Sequence, residues 1–264
     1  MKILFWNLNR KSNEKWVSDI ILENDVDIAI FAEYQNTSFN TVISNLKDEY
    51  KHHIGYNYCK KITLVCKKQI GVVTKREQGR YILYTCFVNQ HYYNIIGIHL
   101  PSPPHSDSSS RKLVIRDIIH DINELENEEK NINTIVIGDF NCNPFDEEII
   151  EKDSFNAVLF KSLMQQEIIT YGNKKWRRFY NPILHFISED TMTYGSIYYS
   201  SSIKTLYWNS FDQILVRKGL VNNISSLQYL RTIKKKSLLK KVMPNDAISD
   251  HLPLLVDFRE GTQL

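Results

Sequence analysis

Cysteine is sparse, charge is almost balanced, and no long apolar run occurs anywhere in the 264 residues. The four cysteines, Cys59, Cys66, Cys86 and Cys142, form no CxxC pair and lack the Cys/His spacing of a zinc site. That excludes a disulfide scaffold and fits free thiols in a reducing compartment. No stretch approaches the roughly 18 apolar residues of a membrane helix, and the opening run ILFW meets Asn7 before it reaches the length of a signal-peptide core. These absences predict a cytoplasmic protein with no stable membrane insertion. With 33 basic and 30 acidic residues, net +3, the chain is not one that coats nucleic acid over its whole surface. Any polyanion would be held by a local patch. Linkers are missing too: SPPHSDSSS at 102–110 reads as a loop, so residues 1–264 are expected to form a single domain with a sizeable core.

What is present is a core and an alternation of elements. Hydrophobic residues make up 42% of the chain, which excludes disorder as the main state, and aromatics 12%, enough to leave rings over for stacking on a flat ligand. ILFW reads as a strand. Trp16, Val17, Ile20 and Ile21 follow at helical spacing, with Ser12 or Asn13 as cap, and VDIAIFAE is a second strand. Residues 62–100 carry four β-rich runs with short polar connections, which predict hairpins. Val114, Ile118, Ile122 and Leu125 mark a helix between Ser110 and Glu126. TIVIG, FDQILV and LPLLVDF are further strands, while residues 170–210 read as polar, aromatic and irregular. Mixed sheets in an α/β domain are the expectation.

Several of these apolar runs end on, or just beyond, a group able to bind a metal or move a proton. ILFW reaches Asn7, IAIFA reaches Glu33, IIGI reaches His99, and TIVIG leads to Asp139 and Asn141. Asp212 opens QILV, and Asp250 and His251 precede LPLLV. Taken singly, Asp and Asn at strand ends are ordinary turn residues, and a lone His beside an apolar run is a packing residue. Taken together, converging carboxylates repel and raise one another's pKa unless a hard divalent cation sits among them.

In order and context, FWNLNR, FAEYQ, IHLPSP, GDFNCNP, FDQILV and SDHLPLLVDF resemble the endonuclease/exonuclease/phosphatase superfamily over nearly the whole chain. The resemblance implies a four-layer α/β/β/α sandwich of two mixed β-sheets flanked by helices, and hydrolysis of phosphoester bonds dependent on Mg²⁺ or Mn²⁺. It implies Glu33 as the principal metal ligand with Asn7 and Asp250, and Asp139, helped by Asn141, as the group that activates water. His251, paired with Asp212, would contact a non-bridging phosphate oxygen, and His99 would lie near the leaving group. The departures are Ala32, where many relatives have Gln, and Asn9, where Asp is frequent.

Substrate choice would rest on basic and aromatic segments. Lys174, Lys175, Arg177 and Arg178 flank Trp176, a composition suited to a nucleic acid strand; the alternative is a solvated loop with its rings turned inward. A second basic run, Lys234–Lys236 with Lys240 and Lys241, is either an exposed face or a backbone tracker. Trp208 is the expected substrate contact in the aromatic stretch before Asp212. Arg111 would reach a phosphate or form a salt bridge. The resulting expectation is a nuclease acting on DNA or RNA, with a lipid or inositol-phosphate phosphoesterase, or a silent binding module, as alternatives.

Overall fold

The computed structural model describes residues 1–102, 108–187, 194–199 and 207–259. Two large sheets lie at its centre. The six-stranded sheet runs, in spatial order, Ile224–Tyr229 (β16), Leu254–Phe258 (β21), Lys2–Asn7 (β1), Ile28–Ala32 (β2), Ile62–Lys67 (β4) and Tyr50–His53 (β3). The seven-stranded sheet runs Gly71–Gln78 (β5), Tyr81–Val88 (β6), His91–His99 (β7), Thr134–Asp139 (β8), Asp212–Val216 (β15), Phe179–Tyr180 (β12) and Ala157–Val158 (β9). Small hairpins pair Ile168–Tyr171 (β10) with Lys174–Arg177 (β11), and Ile197–Tyr198 (β13) with Trp208–Asn209 (β14). Two more pair Thr232–Ile233 (β17) with Lys236–Ser237 (β18), and Leu239–Lys240 (β19) with Met243–Pro244 (β20).

Period-two alternation explains why the sheets stack. Along β6, Ile82, Tyr84 and Cys86 join the core shared with the six-stranded sheet, while Tyr81 and Leu83 join a second core on the opposite face. β8 repeats this with Ile135 and Ile137 against Val136, and β15 with Ile214 and Val216 against Leu215. The second core is closed by the helix Ser108–Glu129 (α3), which buries Ile115, Ile118, Ile122 and Leu125. On the other side, Glu14–Asn24 (α1) buries Val17, Ile20 and Ile21, and Phe39–Asn45 (α2) packs beside it. Helix, sheet, sheet and helix make four layers. Both parallel pairs, β1 with β2 and β7 with β8, are joined through a helix, as parallel strands require.

Two glycines mark close approaches. A Cβ on Gly97 would lie 2.9 Å from Ile62 Cγ2 of the facing sheet, and one on Gly138 would lie 2.1 Å from the Ile98 carbonyl oxygen. Gly138→Ala is therefore expected to cost about 1–3 kcal/mol or more, seen as a fall in Tm; an unchanged Tm contradicts the fit described here.

The sequence analysis expected no element over residues 36–53, where α2 and β3 lie, and read 170–210 as irregular although β10–β14 and the single-turn helix Ile183–Phe186 occupy parts of it. The Lys234 run is a turn docked on α1: its backbone N–H donates to Glu23 and its ammonium pairs with Asp19 at 2.8 Å. All four cysteines are buried and free. Among the described residues no helix is long and apolar enough to cross a membrane.

Candidate active site

The site is a continuation of the inner faces of the sheets. His99, Asp139 and Asp212 fall in register across three adjacent strands, His99 opposite Asp139 and Asp139 opposite Asp212. Each lies an even number of residues from its strand's inward aliphatics, so the apolar row between the sheets ends in a polar row at one edge. From the other sheet, β1 brings Asn7, and β2 is followed by Glu33. The segment before β21 brings Asp250 and His251. Asn7, Asn9, Glu33, His99, Asp139, Asn141, Asp250 and His251 line one cavity of about 140 Å³. Asp212 stands behind His251.

Asp139 is almost fully buried and held on both oxygens. Asn7 Nδ2 donates to Oδ2 at 3.0 Å, and the Asn141 backbone N–H donates to Oδ1 at 2.9 Å. Asn141 itself is fixed by its side chain donating to the Leu100 carbonyl, and it takes a left-handed φ of 51°. Burial, and then the neighbouring Asp212 carboxylate, push the Asp139 carboxyl well above the usual range, against the opposing pull of His251.

His251 donates from Nδ1 to Asp212 Oδ2 at 2.7 Å, which leaves Nε2 facing the cavity, 4.0 Å from Asp139 Oδ2. Burial disfavours its imidazolium, but the Asp212 carboxylate and its hydrogen bond, then Asp139 and Asp250, outweigh burial and raise the pKa to about 10. Because this folded-state value lies above the ordinary 6.5, the stability it contributes is full below that pH and is lost as pH rises through about 10. His99 is opposite in character. Burial, with Lys61, Arg80, His251 and Arg10 nearby, lowers it to about 3, so it is neutral where His251 is charged. Asp212→Asn removes the partner that keeps His251 charged. Its pH–rate profile is expected to lose its alkaline limb, with about a 10- to 100-fold fall at pH 8 and less at pH 6; a parallel loss at both pH values contradicts the pairing.

The chemistry of the donor set fits a hard divalent cation. Glu33, Asp250, Asp139 and the Asn7 amide oxygen offer oxygen ligands around one cavity. Glu33 sits at φ 47°, a conformation a residue with a side chain adopts only when its surroundings hold it. Asp139, Asp212 and His251 also have ligand atoms within 4.8 Å of one another. Asp212 and His251 spend their facing atoms on each other, and a charged imidazole repels a cation, so this trio handles protons.

Three cations form the rim beside Glu33 and His99. Backbone hydrogen bonds place them: Arg10 N–H to the Glu33 carbonyl at 2.7 Å, Glu33 N–H to that of Lys61 at 3.3 Å, and His99 N–H to that of Arg80 at 2.9 Å. Arg10 Nε lies 3.3 Å from Glu33 Oε2. The sequence offered no signal for this cluster, since the three residues come from separate segments without a motif. Ser249 was also missed: its Oγ donates to the Asn7 carbonyl at 2.7 Å and accepts from the His251 N–H at 3.1 Å, tying the two sheets' contributions together.

Four expected substrate contacts lie elsewhere. Arg111 is committed to Glu148, with Nε donating at 2.9 Å, in a largely buried pair between α3 and the helix Glu147–Ile150 (α4). Trp176 and Arg177 line a different cleft at the far edge of the sandwich, and Arg177 pairs with Glu167. Trp208 packs edge-on against Tyr198, with ring centroids 5.4 Å apart. From the same aromatic stretch it is Tyr199, with Ile197, that lines the catalytic cavity. Alternation along β13 was the available signal, since Tyr198 and Tyr199 point to opposite faces.

The chain belongs to the Endonuclease/Exonuclease/phosphatase family, whose model matches residues 4–251. Members of that family are hydrolases acting on phosphoester bonds. Solved structures with the same fold include the endonuclease domain of TRAS1, a telomere-specific non-LTR retrotransposon, at 11% identity and TM-score 0.55, covering 99% of each chain. A mannosyl-6-phosphatase of Bacteroides thetaiotaomicron aligns at 12% identity and TM-score 0.62, over 98% of this chain and 100% of that one. The catalytic domain of human Nocturnin aligns at 18% identity and TM-score 0.57, over 98% and 93%. Curated protein sequences give no significant match.

Proposed function

We propose that this chain is a divalent-metal-dependent phosphodiesterase that hydrolyses nucleic acid by attack of an activated water. The observation that carries the reading is the pairing of a buried, tightly held Asp139 with a charged His251 across one cavity whose other ligands are oxygens. A Mg²⁺ or Mn²⁺ ion held by Glu33, with Asn7 and Asp250, would polarise the phosphoryl oxygen and neutralise charge that develops on it. Asp139, oriented by Asn7 and Asn141, takes the proton of the attacking water; its raised pKa suits a base working near neutral pH. His251 donates from Nε2 to a non-bridging phosphate oxygen while Asp212 keeps it charged and oriented. His99, neutral, presents Nε2 beside Glu33 at 3.4 Å, on the side of the leaving group.

The rim favours a substrate with phosphates flanking the reacting one. Arg10, Lys61 and Arg80 place positive charge beside an acidic site, which draws a polyanion in and keeps it in register. Arg10→Glu combined with Lys61→Glu is expected to raise KM for an oligonucleotide about tenfold at low salt, with little change in kcat and a flatter salt dependence. An unchanged KM removes the rim from substrate binding.

The reading is tested by incubating the protein with Mg²⁺ or Mn²⁺ and a panel of single- and double-stranded DNA, RNA, sphingomyelin, inositol polyphosphates and sugar phosphates. Cleavage of nucleic acid supports it. Turnover confined to lipid, inositol or sugar phosphates selects another phosphoesterase, and no turnover on any of them leaves a binding module.

A further inference from the structure

The basic-aromatic segment around Trp176 lies at the edge of the sandwich opposite the catalytic cavity. β15 starts at Asp212 and ends at Val216, and the next residue, Arg217, hydrogen-bonds Thr134 at the start of β8. The five residues from Asp212 to Arg217 separate the two edges by roughly 16 Å. There, α3 on one side and the β10–β11 hairpin on the other enclose a cleft of about 610 Å³. That is within the roughly 300–1,000 Å³ of small-ligand sites.

The floor of the cleft is internally neutralised. Arg217 is 1% exposed, pairs with Glu126 at 2.9 Å, stacks 3.7 Å from the Phe179 ring and donates to the carbonyls of Arg177 and Arg178. Arg177 is matched by Glu167. The lysines of the lining are not: among the described residues, Lys152, Lys174 and Lys175 have no carboxylate partner. Lys152 instead sits 4.0 Å over the Tyr171 ring. Asn156, 6% exposed, and Trp176 both line the cleft, and each keeps a buried side-chain N–H without an acceptor. Unmatched cations and unmatched donors call for an acceptor-rich anion. Ile168 and the Trp176 ring give the same lining an apolar wall suited to a flat group.

We propose that this cleft is a second binding site, separate from the catalytic cavity, for a nucleotide: its phosphate met by Lys152, Lys174 and Lys175, its base set against Trp176 and Ile168. The nucleotide is either free or one unit of a strand, and affinity distinguishes the two. The full chain carrying Asp139→Asn, in EDTA to prevent turnover, is titrated calorimetrically with adenosine monophosphate, inorganic phosphate and a short single-stranded oligonucleotide. Lys174→Glu with Lys175→Glu is then added, or Asn156→Asp, and separately Arg10→Glu with Lys61→Glu.

The expected result is adenosine monophosphate binding that survives the Arg10/Lys61 change. It weakens about tenfold or more in the Lys174/Lys175 pair and weakens also in Asn156→Asp, with Tm unchanged. In the catalytically intact background, the Lys174/Lys175 pair should leave hydrolysis of a small phosphodiester as it was. Tighter binding of the oligonucleotide than of adenosine monophosphate identifies a strand as the ligand, and equal affinity identifies the free nucleotide. Affinity indifferent to the Lys174/Lys175 pair, binding lost only with Arg10 and Lys61, or inorganic phosphate bound as tightly as the nucleotide, overturns the assignment.

Discussion

Asp139→Asn is expected to lower kcat on a phosphodiester substrate by about 10²–10⁴-fold, the range of a positioned general base, with KM changed little. The side chain keeps its size, and its oxygen still accepts the Asn141 N–H. Only the ability to take a proton is removed. Stability should change little, because two effects oppose. The substitution relieves the burial of a carboxylate whose pKa burial has already raised, and it sets an amide nitrogen against Asn7 Nδ2, which now donates to Asp139 Oδ2 at 3.0 Å. A Tm within a few degrees of the parent, alongside the loss of kcat, separates a chemical role from a structural one. A fall in kcat of less than tenfold would move the base elsewhere in the cavity.

Glu33→Gln is the second change with a large expected effect. It removes the charge of the proposed principal metal ligand while preserving shape and the left-handed backbone at φ 47°. A divalent ion contributes several kcal/mol of charge stabilisation to phosphoryl transfer, and each 1.36 kcal/mol is about tenfold in rate. A loss of roughly 10²–10³-fold follows, together with a rise in the Mg²⁺ concentration needed for half-maximal rate. If the loss were fully recovered at high Mg²⁺, Glu33 would act in metal affinity alone. Loss without any change in Mg²⁺ dependence would assign Glu33 a role other than metal ligation.

The edge-row of the active site was legible because the rule that builds it is local. Strand faces alternate, so the apolar residues at 135 and 137 put Asp139 on the inner side, and those at 214 and 216 do the same for Asp212. Parallel strands joined through helices then put the ends of β1, β2, β7 and β8 at one edge. The substrate contacts were less legible, since they depend on which edge of the sheet a segment returns to. Trp176 and Arg177 have the right chemistry for a phosphate strand, but β12 leads from them to the far end of β15, and pattern alone does not reveal that. Arg10, Lys61 and Arg80 show the converse: isolated in sequence, they are gathered by three backbone hydrogen bonds. α2 and β3 escaped because both are short. FNTVISN has few strong helix formers, and YKHH has no apolar alternation.

Hydrolysis of a fluorescent single-stranded oligonucleotide by the purified chain, followed with Mg²⁺ and again after chelation with EDTA, tests the central claim most directly. The account predicts cleavage that requires the metal, returns when Mg²⁺ is restored, and is lost in Asp139→Asn and Glu33→Gln. Cleavage that persists in EDTA, or that both variants retain at the parent rate, would contradict it.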